Sequence, residues 1–169
     1  MDHKRFEKGY LPLFLSYYKP HLNLFLLDMC CALGIALVDL AFPYASRMAL
    51  NELLPQNLFG AFFAVMAVLL LAYGLRAGMN YVVTYWGHMM GVRIEADIRR
   101  DLFYHMQDLS FSFYDKNRTG QLMSRATNDL FEITELSHHG PEDLFISVVT
   151  LGGAFVLMCT SQWKLALIV

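Results

Sequence analysis

Long apolar stretches alternate with short charged ones along the chain, and this pattern predicts helices that cross a membrane. Residues 58–75 carry no charge over eighteen positions, and residues 144–163 carry none over twenty. About 20 mostly apolar residues cross a bilayer as an α-helix. Residues 22–45 reach this length while including Asp28 and Asp39. The predicted spans are residues 22–45, 58–86 and 142–163, and a fourth span begins at residue 165, after Lys164.

Between the second and third predicted spans, the helical pattern continues but becomes charged. Residues 77–109 contain no proline, and apolar positions recur there at helical spacing among the charges. As a single helix, residues 58–109 would be about 75 Å long, whereas the hydrocarbon core is roughly 30 Å thick. The sequence therefore predicts a hairpin at about residues 87–141 that projects into the cytoplasm.

Lysine and arginine residues are concentrated before the first span and in this hairpin, whereas the other two connections carry only Arg47 and Lys164. By the positive-inside rule, the N-terminus and the hairpin are expected to be cytoplasmic. Residues 1–21 form the lead-in. Within it, YLPLFLSYY (residues 10–18) is interpreted either as a helix in the membrane interface or as the start of the first span.

Composition supports a lipid bilayer as the main partner. Of the 169 residues, 56% are hydrophobic and 17% are charged, against about 25% charged in soluble domains. The net charge of −2 supplies no basic field, so no nucleic-acid partner is expected. The prediction is an all-α, polytopic membrane protein. The apparent start of a fourth span at the end of the chain is interpreted as a sign that the chain is a fragment.

Two charges within the predicted spans, Asp28 and Arg76, are candidates for a functional or structural role, because intramembrane charges usually pair or face a polar interior. Their estimated depths nearly coincide if the two spans are antiparallel. One hypothesis is that they form an ion pair or face one shared polar cavity. The alternative is that Arg76 extends to the inner headgroups.

No catalytic or metal site is expected. Adjacent His138 and His139 would point about 100° apart on a helix, so the pair is not expected to bind one metal ion. No nucleophile-base arrangement is present in the sequence, and no GxxxxGK[ST] phosphate loop. This chain alone is therefore expected to hydrolyse no ATP and to hold no cofactor.

The order of residues in the hairpin is more specific than its composition. A charged helix leads into an aromatic and polar turn, after which Thr119 is predicted to cap a new helix and Gly120 to relieve the backbone at the turn. Arg125 and Asp129 stand four positions apart, the spacing of an ion pair on one helix face.

This hairpin resembles the first intracellular loop of ABC exporters with a type-1 transmembrane domain, whose pattern includes a leucine shortly before F-F/Y-D, then T-G-x-L-x-S-R and N-D. The matching residues are Arg99, Leu102, Leu109, Phe113, Tyr114, Asp115, Thr119, Gly120, Leu122, Ser124, Arg125, Asn128 and Asp129. The closing QWKLALIV is also similar to the segment that opens the family's fourth span.

The resemblance implies the membrane domain of an ATP-driven exporter, of a bacterial multidrug or lipid type, in the cell membrane. It implies alternating access, a downstream nucleotide-binding domain that uses ATP and Mg²⁺, and a second transporter half in a homo- or heterodimer. The turn would couple the two domains. The implied coupling residues are Ser112, Phe113, Tyr114, Asp115, Lys116, Asn117 and Arg118. The alternative function is a non-transporting regulatory or structural membrane module.

Overall fold

The computed structural model describes residues 9–166, with side chains as far as Thr160. Six α-helices follow one another within these residues. They are α1 (Tyr10–Ser16), α2 (Leu22–Met48), α3 (Phe59–Gln107), α4 (Phe111–Lys116), α5 (Thr119–Ser124) and α6 (Leu130–Ala166). A 3₁₀ turn at Lys19–His21 precedes α2, and π-helical turns occupy Ala49–Leu53 and Arg125–Asp129. The described residues contain no β-strand, which confirms the all-α prediction.

In the described part of the chain, three helical stretches are long and apolar enough to cross a membrane: Tyr10–Leu53, Phe59–Gln107 and Thr119–Thr160. Their large apolar side chains lie mostly on the surface, as Leu70 and Leu151 illustrate. Because lipid tails solvate apolar side chains and helices satisfy their own backbone hydrogen bonds, this arrangement is suited to a bilayer. The predicted multi-pass helical membrane protein is confirmed.

The longest helix, α3, runs for 49 residues without interruption, which corresponds to about 73 Å. The sequence predicted such an overlong helix, and the structure ends it at Gln107, two residues before Leu109. The end of the apolar span within α3, and the side of the membrane that each end faces, stay predictions.

Helix α6 differs from the prediction at its end. It passes through Lys164 without a break and continues to Ala166, the last described residue. A lysine is a good helix former, so its charge alone does not interrupt a helix. The proposed division into a third and a fourth span at Lys164 is therefore absent from the described backbone. Residues 167–169 of the predicted fourth span lie outside the described residues.

The chain divides into two compact units. Residues 9–27 and 85–141 belong to one, here called the hairpin unit, and residues 28–84 and 142–166 belong to the other, the span unit. The core of the hairpin unit is formed by Tyr17, Tyr18, Met90 and Ile94.

Two glycines allow α3 and α6 to approach closely in the hairpin unit. Gly87 and Gly91 form a GxxxG face on α3. A Cβ at Gly87 would overlap the His138 ring, and one at Gly91 would lie 3.1 Å from Cγ2 of Thr134. Small residues at this spacing let helix backbones pack closely, and here they admit the larger side chains of α6.

Candidate functional site

The segment of residues 110–118, here called the α4 segment, lies between the end of α3 and the start of α5. Ser110 is extended at the start of α4, and Asn117 and Arg118 are extended after it. The sequence predicted an aromatic-polar turn, and the structure shows a helix of six residues there. The break between the two short helices is confined to Asn117 and Arg118, because Asp115 and Lys116 belong to α4 and Thr119 begins α5.

One side-chain hydrogen bond joins the α4 segment to the end of α3, and two further polar contacts lie within the segment. The Tyr114 hydroxyl donates to the backbone carbonyl of Met106. The side-chain amide of Asn117 donates to the carbonyl of Phe113 over 2.9 Å, and the hydroxyl oxygens of Ser110 and Ser112 lie 2.9 Å apart. The segment is therefore fixed by its own polar side chains.

The predicted coupling residues separate into two groups. Phe113 and Tyr114 are half-buried, and Phe113 lines an apolar groove of about 720 Å³ in the hairpin unit. The remaining five are exposed: Ser112, Asp115, Lys116, Asn117 and Arg118. Phe111, which was not among the predicted residues, is 91% exposed. The signal that could have found it is an aromatic residue directly after the serine that begins a short helix.

Thr119 and Gly120 do not act as predicted. The N-cap position of α5 is Arg118, and it makes no side-chain capping hydrogen bond. Thr119 is the first helical residue, so its hydroxyl is one position too late to cap. Among the described residues, only Gly9 and Asn57 have positive φ, so Gly120 is an ordinary helical residue and the turn does not use its conformational freedom.

The predicted ion pair between Arg125 and Asp129 is also wrong. Both residues are exposed within the π-helical turn, and within the described part of the chain they form no ion pair with each other. The energy gained by an exposed pair in water is small and is offset by the entropy lost in holding two long side chains together.

Polar contacts join the charged part of α3 to α6. The hydroxyl of Thr134 donates to Oε2 of Glu95 over 2.8 Å, and Arg99 pairs with the other carboxylate oxygen of Glu95. Arg100 pairs with Asp97 over 3.0 Å. Of these contacts, the one between Thr134 and Glu95 joins the two arms of the hairpin, whereas the two arginine pairs lie within α3.

Three side chains anchor the N-terminal segment to α3 and α6. The Tyr17 hydroxyl donates to Oδ2 of Asp101 over 3.1 Å, and Nε2 of His21 lies 3.0 Å from Oδ2 of Asp97. The Tyr18 hydroxyl donates to the backbone carbonyl of Ser137 over 2.8 Å. We call Tyr17, Tyr18 and His21 the N-terminal anchor. No local pattern in the sequence indicates these contacts, since the partners are 76 to 119 residues apart.

In the span unit, Arg76 pairs with Asp39 instead of Asp28. Its Nε and Nη2 atoms lie 2.7 and 2.9 Å from the two carboxylate oxygens of Asp39. Asp28 lies eleven residues, or about 16 Å, nearer the start of α2 and is beyond the reach of the same guanidinium. The hypothesis of an Asp28–Arg76 ion pair is therefore wrong.

The correct partner could have been found by measuring both depths from the shared turn. Asp39 lies about 21 Å from the end of the helical stretch at Leu53, and Arg76 about 26 Å from the start of α3 at Phe59. On the same scale, Asp28 is about 38 Å from Leu53. Depths counted from opposite faces of the bilayer depend on its assumed thickness, whereas depths counted from the shared turn do not.

The structure brings together three histidines that the sequence did not connect. His88 on α3 lies beside His138 and His139 on α6. His138 is buried, whereas His88 and His139 are exposed. Since His88 is 50 positions from His138 in the sequence, only the packing of α3 on α6 relates them.

Comparison with known sequences gives a consistent set of matches. Residues 25–169 match the sequence model of the ABC transporter transmembrane region. The chain is 50% identical over 155 residues to the "Uncharacterized ABC transporter ATP-binding protein YwjA" of Bacillus subtilis (strain 168), covering 92% of this chain and 27% of that protein.

Two further matches are proteins named "ATP-dependent lipid A-core flippase". The one from Shewanella sp. (strain MR-4) is 32% identical over 171 residues, which is 90% of this chain and 28% of that protein. The one from Idiomarina loihiensis is 28% identical over 178 residues, covering 99% of this chain and 29% of that protein. The chain thus spans less than a third of the length of these curated relatives.

Proposed function

Because the chain belongs to the ABC transporter transmembrane region family, we propose that it is the membrane module of an ATP-driven exporter and that its α4 segment couples it to a nucleotide-binding domain. In this proposal the N-terminus and the hairpin are cytoplasmic. ATP and Mg²⁺ are held by the nucleotide-binding domain of the full-length protein, and a second half completes the transporter. Closure of the nucleotide-binding domains is transmitted through the α4 segment and drives alternating access.

The exposure of Phe111 is the observation that carries this proposal. A phenylalanine that is 91% exposed on a six-residue helix buries almost no apolar surface within the chain. Aromatic residues are typical anchors of protein interfaces, where a partner covers them and charged residues form the rim. Exposed Asp115 and Lys116 on the same helix supply such a rim.

The connection to α3 supports a mechanical role. Only residues 108–110 separate α3 from α4, and two backbone hydrogen bonds tighten this link, from the Asp108 amide to the His105 carbonyl (3.2 Å) and from the Leu109 amide to the Met106 carbonyl (3.3 Å). Since Tyr114 also bonds back to Met106, a displacement of α4 would be passed directly to the end of α3.

The test uses the full-length transporter reconstituted in lipid vesicles, with transport and ATP hydrolysis measured together. Truncation of an interface anchor typically costs about 2 kcal/mol or more, or roughly 30-fold in association. Phe111→Ala is therefore expected to lower substrate-stimulated ATPase activity and transport by about tenfold or more. Asp115→Ala, at the rim, is expected to cause a smaller loss.

Phe103→Ala is the matched control, since it removes another exposed phenylalanine from the end of α3 outside the α4 segment. Coupling through the α4 segment is contradicted if Phe111→Ala keeps the transport and ATPase rates of the Phe103→Ala control. If the full-length protein neither hydrolyses ATP nor transports substrate, this result would instead support the alternative of a non-transporting regulatory module.

A further inference from the structure

Three imidazole rings converge on one point between α3 and α6 in the hairpin unit. The ring centroids of His88 and His138 are 4.7 Å apart, those of His88 and His139 are 5.5 Å apart, and those of His138 and His139 are 4.5 Å apart. One ring nitrogen from each histidine lies within 4.8 Å of the other two. This spacing is close to that of ligands around one metal ion.

The arrangement removes the main objection to a metal site at adjacent histidines. Consecutive side chains leave a helix about 100° apart, so two neighbours alone rarely share an ion. Here the rings of His138 and His139 turn toward each other, with 38° between their planes, and both lie against His88. The third ligand therefore comes from α3.

We propose that His88, His138 and His139 form a binding site for Zn²⁺, with three imidazole nitrogens as ligands and water in the fourth position. Zinc binds imidazole nitrogen at about 2.0–2.1 Å in tetrahedral geometry, which places two ligand nitrogens about 3.3 Å apart. Closing the observed separations of up to 4.8 Å to that value requires movements of about 1.5 Å or less. Rotation of the two exposed rings supplies such movements.

The surroundings of the rings fit this role. His138 is buried and packed over Gly87, so its ring is held in place by α3. His88 and His139 are exposed and leave a path for the ion from solvent. Nε2 of His139 lies 3.6 Å from Oε2 of Glu135, one helical turn away. A carboxylate at the far nitrogen of a ligating histidine orients the ring and raises its basicity, which leaves Nδ1 of His139 for the ion.

A bound Zn²⁺ joins the two arms of the hairpin, because one ligand comes from α3 and two from α6. The site is separate from the α4 segment and independent of the proposed coupling. Imidazole ligands suit zinc among the divalent ions, whereas Mg²⁺ and Ca²⁺ prefer oxygen ligands. Excess Mg²⁺ is therefore not expected to displace the bound Zn²⁺.

The test is Zn²⁺ binding to the full-length protein, purified in detergent, freed of its affinity tag and stripped with a chelator. Zinc retained after dialysis is counted by elemental analysis, and affinity is measured by competition with a chromogenic chelator. One Zn²⁺ per chain is expected, unchanged by excess Mg²⁺. His88→Ala and His139→Ala should each weaken binding by tenfold or more. Glu135→Gln should weaken it by about tenfold, as for other outer carboxylates.

His105→Ala is the matched control, since it removes another exposed histidine from α3 and should leave binding unchanged. The two exposed-histidine variants should also keep the metal-free melting temperature of the wild type, which separates loss of a ligand from loss of folding. Absence of stoichiometric zinc in the wild type, or wild-type affinity in His88→Ala, would overturn the proposal.

Discussion

Replacing Tyr18 by phenylalanine should reveal how the hairpin unit accommodates a proline inside α6. Pro141 has no backbone N–H, so the carbonyl of Ser137, four residues earlier, loses its helical partner. The Tyr18 hydroxyl donates to that carbonyl over 2.8 Å, and both residues are buried. A hydroxyl from another helix thus takes the place of the missing amide.

The expected cost follows from this geometry. Tyr18→Phe keeps the ring and its edge-to-face contacts with Phe14 and Phe25, at centroid distances of 5.6 and 5.5 Å. Only the hydroxyl is lost, and the Ser137 carbonyl is deprived of this donor away from water. A buried polar group that loses its partner costs about 1–3 kcal/mol. We expect the free energy of unfolding to fall by that amount.

A double-mutant cycle with Pro141→Ala isolates the effect, measured by denaturant unfolding in mixed micelles. Alanine restores an amide that can donate to the Ser137 carbonyl, so Tyr18→Phe should cost less than about 1 kcal/mol in that background. Tyr104→Phe, at an exposed tyrosine, is the control and should be nearly neutral. Equal costs of Tyr18→Phe in both backgrounds would refute the reasoning.

Two further changes test the packing of the helices. Asp39→Asn or Arg76→Gln alone leaves one charge within the apolar stretch and should cost about 2–3 kcal/mol in mixed-micelle unfolding. The double variant Asp39→Asn/Arg76→Gln should show a coupling energy of about 1–2 kcal/mol, a value reduced because both side chains are about a third exposed to solvent. In contrast, the stability losses of Arg76→Gln and Asp28→Asn should be additive in their double variant. Gly87→Ala forces a methyl group into the adjacent imidazole and should lower stability by about 1–3 kcal/mol in the same assay. Gly78→Ala, which meets nothing within 4 Å, should instead be neutral or stabilising, and equal effects at the two glycines would contradict this packing.

The sequence was sufficient for the features that depend on local pattern. Uncharged runs such as residues 144–163 identify helices that cross a membrane, and the absence of proline from residues 77–109 predicted the unbroken α3. The hairpin motif also indicated the family correctly. These signals are local because helix formation and apolar length are properties of neighbouring residues.

The pairing of side chains was harder to predict, because it depends on the register of one helix against another. The estimated depths of the charges in the membrane led to Asp28 as the partner of Arg76, whereas in the structure the partner is Asp39. Thr119 illustrates a second limit: a capping role depends on the position of one residue, and helix ends are the least certain part of a sequence-based assignment. His88 shows a third, since no local pattern relates it to His138.

The N-terminal anchor has a consequence for the order in which the protein is made. Tyr18 leaves the ribosome 119 residues before the Ser137 carbonyl that it binds. At about 5–20 residues per second, synthesis of that partner takes a further 6–24 s or so. The partner of Tyr17, Asp101, is synthesised 84 residues later, and the partner of His21, Asp97, is synthesised 76 residues later. The first segment of the hairpin unit to be synthesised is therefore among the last to reach its final contacts, after α2 has been completed and α3 has emerged.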